Sequence, residues 1–391
     1  MTISQKLLMS AKKEAVWDGA FYIVTSTTGK SSDTSTKIFK YLPGDSLVED
    51  ADKMDKPVHG QTRGGFTCFS GDGQYLALIN NLTDNNYNSG SGDYTIMYKW
   101  EGSKWAHDAY NIGFTDGDIG GSTKGMLLND DGSMLLHCGP SQINAAVGAV
   151  NTLSRTGSAW TQDSECVTGF YNPSTQSVSA VYSVCTLSND FSTFVISMQI
   201  CDAYGCGGAY NDGHFILERN GTKLDLLTEI TDGSARHNMV TSTADGSRFC
   251  MGDGSGVFFD GFHVYSWDGV NAVKLPFPTG YDDNLSFVFM SPDGTQVAAV
   301  ANTSLFIFTW DGSKYIYGGV IATDPDMSGY RENTLKWSSD SQHIVYLTKA
   351  YPHVFTLDRT GNSWSAGVSA TYQVEPQYEP DRFSMTKGLP S

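Results

Sequence analysis

An Asp-Gly dipeptide, preceded by a hydroxyl residue and flanked by two apolar runs, returns along this chain at a slowly drifting interval. FTCFSGDGQYLALI (66–79) and FVFMSPDGTQVAAV (287–300) share one pattern: apolar strand, Ser, any residue, Asp-Gly, second apolar strand. Weaker copies are GMLLNDDGSMLLHC (125–138), MVTSTADGSRFCMG (239–252) and TLKWSSDSQHIVYL (334–347). VCTLSNDFSTFVIS (184–197) and KLLMSAKKEAVW (6–17) keep the runs and lose the Gly. With Asp72 as anchor, the equivalents are Lys12, Asp131, Asp190, Asp245, Asp293 and Asp340, at steps of 60, 59, 59, 55, 48 and 47 residues.

Each copy is followed by a second one, such as TIMYKWEGSKW (95–105) or LFIFTWDGSKY (305–315), again two strands around a Gly turn. A unit therefore reads strand, turn, strand, variable loop, strand, turn, strand. Asp-Gly and Asn-Gly supply the positive φ of two-residue hairpin turns, so each unit is expected to be a four-stranded antiparallel meander. One such sheet cannot bury its apolar faces alone. Radial stacking of units around a channel solves that problem, and seven units predict one all-β, seven-bladed β-propeller over 1–378. Residues 379–391 then remain as a C-terminal arm or a strand that closes the ring. The arm is favoured, because the first unit already has four candidate strands.

The S-x-D-G element followed by Y/F-x-W-D/E-G-S-x-W/Y resembles the degenerate repeats of WD40-like and FG-GAP-like propellers. What the resemblance implies is the fold and a tendency to bind partners; it specifies no reaction. No unit carries the full D-x-N-x-D-G-x-x-D loop that binds calcium in the FG-GAP group.

Composition agrees with an all-β chain. Only 17% of the residues are charged, while 42 are Gly and 40 are Tyr or Phe. The formal charge of −17 argues against a nucleic-acid surface, which needs Lys and Arg to displace counterions. It equally disfavours anionic lipid, and no apolar run of 18 residues suggests membrane insertion. The N-terminus lacks the apolar core of a secretory signal, so the expectation is cytosolic synthesis. Seven cysteines fit buried free thiols, with Cys201 and Cys206 as the one close pair, either bridged or free.

In a meander, the turns between strands one and two and between strands three and four emerge on one face. The variable loops emerge on the other, and binding is sought there. Units one to four carry long loops, and Asn85, Asn86, Tyr87, Tyr94, Tyr204 and Tyr210 supply the adaptable contact residues. Connections that lead into the innermost strands add Asp116, Asp118, Asp324 and Asp326. These carboxylates could hold Ca²⁺ at the channel mouth, and no other cofactor is indicated. The histidines are scattered singly, and no nucleophile elbow, phosphate loop or dinucleotide fingerprint occurs.

Three functional classes remain. The expectation placed first is a non-catalytic structural or adhesive protein, specifically a virion component such as a phage tail or capsid-decoration protein, acting through other proteins of an assembly or a surface receptor. The second is a cytosolic scaffold or glycan-binding propeller. The third is a hydrolase or lyase that uses the acidic channel mouth.

Overall fold

The computed structural model describes residues 19–27, 36–55, 63–81, 93–110, 125–138, 150–165, 176–202, 211–221, 223–230, 237–253, 262–276, 285, 287–301, 303–323, 335–348, 354–370 and 380–387. They form seven four-stranded antiparallel sheets arranged in a ring, a seven-bladed β-propeller. The strands of the first blade are β1 (Phe21–Thr27), β2 (Thr36–Leu42) and β3 (Ser46–Glu49). The second blade is β4 (Arg63–Phe69), β5 (Tyr75–Asn81), β6 (Asp93–Trp100) and β7 (Trp105–Tyr110). The third is β8 (Gly125–Leu128), β9 (Met134–Cys138), β10 (Val150–Thr156) and β11 (Ala159–Glu165). The fourth is β12 (Gln176–Thr186), β13 (Thr193–Asp202), β14 (Asn211–Asn220) and β15 (Lys223–Ile230). The fifth is β16 (His237–Ser242), β17 (Arg248–Asp253), β18 (Phe262–Trp267) and β19 (Ala272–Lys274). The sixth is β20 (Phe287–Met290), β21 (Gln296–Ala301), β22 (Ser304–Trp310) and β23 (Tyr315–Thr323). The seventh is β24 (Leu335–Trp337), β25 (His343–Leu347), β26 (Val354–Thr360) and β27 (Ser363–Ala370).

The fourth strand of the first blade is β28 (Pro380–Lys387), which pairs antiparallel with β1 from Phe21↔Lys387 to Thr27↔Pro380. The reading of this tail as an exposed arm is therefore corrected. The segment 6–17, read above as the first unit's turn and the apolar runs beside it, lies outside the described residues. A strand from the far end of the sequence occupies the inner position instead, so the ring is fastened by backbone hydrogen bonds between its two ends.

The described core divides into seven apolar clusters, one at each seam between neighbouring blades. Strand alternation explains this. On β1, Phe21 and Ile23 point to the seventh-blade seam, while Tyr22 and Val24 point to the second-blade seam. On β21, Val297, Ala299 and Ala301 enter one seam and Ala298 and Val300 the other. A strand buried on both faces must be apolar throughout, which is why QVAAVA reads as a continuous run.

The turns between first and second strands depart from the expected two-residue form. Phe69 and Tyr75 bracket five residues, and the Gly73 amide donates to the Ser70 carbonyl at 2.9 Å. Only the glycine takes a positive φ. Gly73, Gly132, Gly246 and Gly294 lie between +65° and +70°, and Asp is there for a different reason. The Asp72 carboxylate accepts from the Gln74 amide (2.9 Å) and from the Ser70 hydroxyl (2.7 Å), while Ser70 Oγ accepts from the Tyr75 amide (2.9 Å). Side chain and backbone thus close a hydrogen-bonded turn on each other. The same set recurs around Asp245, Asp293 and Asp340. In the two described turns that lack the Gly, Phe191 (φ 54°) and Ser341 (φ 59°) hold its place, and they are the two positive-φ non-glycine residues among those described.

Two-residue turns do occur between third and fourth strands, where Thr156↔Ala159 and Thr360↔Ser363 flank Gly157-Ser158 and Gly361-Asn362. The aromatic that ends the W-D/E-G-S-x-W/Y element has its own task. Trp105 Nε1 donates to the Gly73 carbonyl at 2.9 Å and Tyr315 Oη to that of Gly294 at 2.7 Å. Each ties the fourth strand of a blade to its first turn.

Candidate functional site: the axial cavity

The innermost strands β4, β8, β12, β16, β20, β24 and β28 face the ring axis and enclose a cavity of about 260 Å³ to which all seven contribute. This lies just under the roughly 300–1,000 Å³ of small-molecule pockets and suits a compact metabolite rather than a polymer. In blades two to seven the liners lie about four residues upstream of the turn Asp. At a rise of ~3.3 Å per residue they are roughly 13 Å along the strand from the turn face.

Its wall combines apolar groups with hydroxyls that already serve the seams. Ser183 Oγ donates to the Val240 carbonyl (3.3 Å), Ser242 Oγ to that of Thr186 (2.7 Å) and Thr67 Oγ1 to that of Val24 (3.4 Å). Thr241 Oγ1 accepts from the Met290 amide at 2.9 Å, and Trp337 Nε1 donates to the Phe289 carbonyl at 2.9 Å. Ser384, on the closing strand, differs. Its Oγ is buried and has no hydrogen-bond partner among the described residues.

Two groups in the wall titrate abnormally. Burial pushes the Lys336 ammonium below the usual lysine range, against an opposing effect of the nearby Cys68. Burial drives the Cys68 thiol well above the usual cysteine range, and Cys185 to about 12. Both thiols are therefore neutral at physiological pH and poor nucleophiles. No described lining residue is acidic.

Two further ionisable clusters lie outside the cavity. At the seam between first and seventh blades, Tyr41 Oη donates to Asp358 Oδ1, and His343 Nδ1 lies 2.8 Å from the same oxygen. Burial, and then the Asp358 hydrogen bond, hold the Tyr41 phenol far above its ordinary range. Tyr41 is fully buried, which marks this trio as a fastener of the closing seam. On the second blade, Asp55 accepts from Lys104 Nζ and from the His107 amide (3.3 Å). This cluster pins the end of the first blade onto β7, where the Asp55 amide also donates to the Trp105 carbonyl at 2.9 Å.

Of the binding residues read from sequence, Tyr94 falls on β6 opposite Asn80. Asn85, Asn86, Tyr87, Tyr204 and Tyr210 lie outside the described residues, as do Asp116, Asp118, Asp324 and Asp326. Cys201 is on β13, and Cys206 lies outside the described residues. Among the described residues no group of His, Cys, Asp or Glu could hold a metal ion.

Lys336 and Ser384 were not singled out by sequence. A signal was available for the first. Four residues before the turn Asp, the six units with a described turn carry Cys68, Leu127, Thr186, Thr241, Phe289 and Lys336. One charge stands in a column of neutral residues. Ser384 had no such signal, because its strand lies outside the repeat register.

No family model matches the chain and no curated protein matches it. Solved structures do. A Bacteroides fragilis protein provisionally assigned as a 6-phosphogluconolactonase superposes with a TM-score of 0.61 at 9% identity, over 96% of this chain and 100% of that one. The periplasmic gluconolactonase PpgL of Pseudomonas aeruginosa gives 0.57 at 13%, over 95% and 98%. The β-propeller domain of Swd1 from Myceliophteria thermophila, a WD40 propeller, gives 0.50 at 11%, over 78% and 85%. At these identities the likeness shows the fold. It also corrects two expectations. The first-placed reading, a non-catalytic virion or phage-tail protein that binds a receptor, is overturned because whole-chain neighbours include propellers described as lactonases. The expectation that the chain is not an enzyme falls with it.

Proposed function

We propose that this protein is a propeller hydrolase that opens a small cyclic ester of the sugar-lactone class, bound on the ring axis. The observation that carries the reading is the axial cavity, walled by all seven blades, compact, and equipped with hydroxyls and an ammonium. The lactonase descriptions of two whole-chain neighbours supply the reaction class.

Lactone hydrolysis needs a base to take a proton from water and a positive or hydrogen-bonding group near the carbonyl oxygen. The connections that lead into β8 and β24 carry Asp116, Asp118, Asp324 and Asp326. Carboxylates entering the inner strands are the candidate bases, acting on water directly or through a Ca²⁺ ion. The test is pH-stat hydrolysis of glucono-δ-lactone and its 6-phosphate, corrected for spontaneous opening. Catalysed opening is expected, with a loss of at least 100-fold when the essential Asp among these four is replaced by Asn. A rate equal to background for both lactones, with and without Ca²⁺, removes the proposal.

A further inference from the structure

The axial wall contains one feature that seam packing does not explain. Lys336 comes from β24 and Ser384 from β28, both line the same cavity, and the serine hydroxyl is buried without a partner among the described residues. A buried hydroxyl left unpaired carries a desolvation penalty of about 1–3 kcal/mol, so in a native wall it points to a ligand that the site is built to receive. An ammonium facing the same space specifies the sign of that ligand. The described titratable groups of the wall besides Lys336 are the Cys68 thiol on β4 and the Cys185 thiol on β12, both held neutral by burial. β8, β16, β20 and β28 present none among their described lining residues.

We infer that Lys336 and Ser384 form an oxyanion-binding site inside the axial cavity, taking a carboxylate or phosphate group of a small molecule. The ammonium supplies the charge and the hydroxyl a directed donor, the pairing that makes hydrogen bonds to ions stronger than those between neutral groups. The Ser242 and Thr67 hydroxyls cannot replace Ser384 without giving up the carbonyls they already serve. The site uses the cavity of the proposed hydrolase but adds what that reading lacks, the charge of the bound group. Ring opening of a neutral lactone releases a carboxylate, so the product would fit this site better than its precursor.

An anion beside Lys336 favours the protonated amine. Binding therefore couples to proton uptake wherever the free protein's lysine is partly neutral, and affinity falls as pH rises.

The experiment is isothermal titration of the full chain with inorganic phosphate, with gluconate and with the neutral polyol glucitol. It is run from pH 6 to 9.5 in buffers of different ionisation heat. One-to-one binding of at least one anion is expected, tenfold or more tighter than glucitol, weakening with pH and accompanied by proton uptake. Phosphate alone, gluconate alone or both binding identifies the group and upholds the site. K336M should weaken binding at least tenfold, S384A about three- to tenfold, and K336R should retain most of it. Equal binding to wild type and K336M, binding of glucitol as tight as that of the tighter anion, or no binding of either anion at 10 mM overturns the inference. Should K336M fail to fold, proton uptake by the wild-type protein reads the same charge. Anion binding without lactone turnover would keep this site and remove the hydrolase reading. Turnover without anion binding would do the reverse.

Discussion

At the turn face, six blades meet one requirement with one device: a residue with positive φ and an Asp that accepts from the amide two residues on. Four residues upstream, the same strands present Cys68, Leu127, Thr186, Thr241, Phe289 and Lys336 to or near the axis. The first region repeats because every blade must reverse its chain in the same space. The second does not, because the side chains of all seven inner strands share one volume and only their sum matters. Repetition therefore marks scaffold, and the breaks in repetition mark places where a single residue has a task of its own.

The sharpest way to test the first half is to place the same backbone strain in two surroundings, a first turn against the neighbouring blade and the open turn between β2 and β3. Gly246 (φ +69°) sits so that a Cβ would meet the Leu187 carbonyl oxygen of the neighbouring blade at 2.0 Å, whereas a Cβ at Gly44 (also φ +69°) meets nothing within 4 Å. Gly246→Ala combines left-handed strain with a backbone clash and is expected to cost about 3 kcal/mol or more. Gly44→Ala bears the strain alone, about 1 kcal/mol. Denaturant unfolding of both measures the difference, and equal losses would mean that the turns do not lock blade to blade.

Much of the fold was legible for this reason. The seven-unit count and the four-strand unit follow from spacing and period, since each is stated many times in the chain. The turn geometry was misread because Asp-Gly suggests two positive φ values, while the carboxylate here works as an acceptor and only the glycine uses the left-handed region. The closing strand was the less favoured of two alternatives for 379–391 because PDRFSMTK carries no turn motif. Its place is set by the unpaired edge of β1, a property of the assembled ring. At the site, Lys336 was readable as one charge in a neutral column, whereas Ser384 became visible only when β28 brought it to the axis.

The closing seam offers the next test, since it joins blades that are not neighbours in sequence. Tyr41→Phe removes the buried phenol that donates to Asp358 and leaves that carboxylate with His343. A loss of about 1–2 kcal/mol is expected. Ser46→Ala, which removes a hydroxyl that donates to its neighbour Asp45, should be near neutral. If Tyr41→Phe is equally silent, the ring is fastened by backbone pairing and apolar contacts alone.

Smaller effects should appear in acid. Hydrogen bonds from Ser133, Ser192 and Thr243 hold Asp131, Asp190 and Asp245 below the usual carboxylate range. For Asp293, burial pushes upward, but hydrogen bonds from Ser291 and Thr295 prevail and the net shift is also down. A carboxylate depressed on folding contributes stability that is fully present above its unfolded value of 3.8 and is lost as pH falls through the lower folded value. Melting temperature should thus be flat near neutrality and fall below about pH 4. Each Asp→Asn replacement at these turns should cost under about 1 kcal/mol at pH 7 and flatten that fall. An unchanged acid limb in the fourfold variant would detach the turn carboxylates from acid unfolding.

A substitution on the axis should act with the opposite sign, although the pH slope runs the same way. Lys336 is depressed on folding, so the unfolded chain holds the extra proton between the folded value and the ordinary lysine value of 10.5. The wild-type protein carries the full penalty below the folded value, and stability recovers as pH rises towards 10.5. Lys336→Met removes that penalty and should raise Tm at pH 7 by roughly 1–3 °C, an advantage that shrinks as the solution becomes alkaline. Every turn substitution above weakens the ring. A stabilising change at the axis would separate a residue kept for its chemistry from residues kept for the fold, and a destabilising one would return Lys336 to the scaffold.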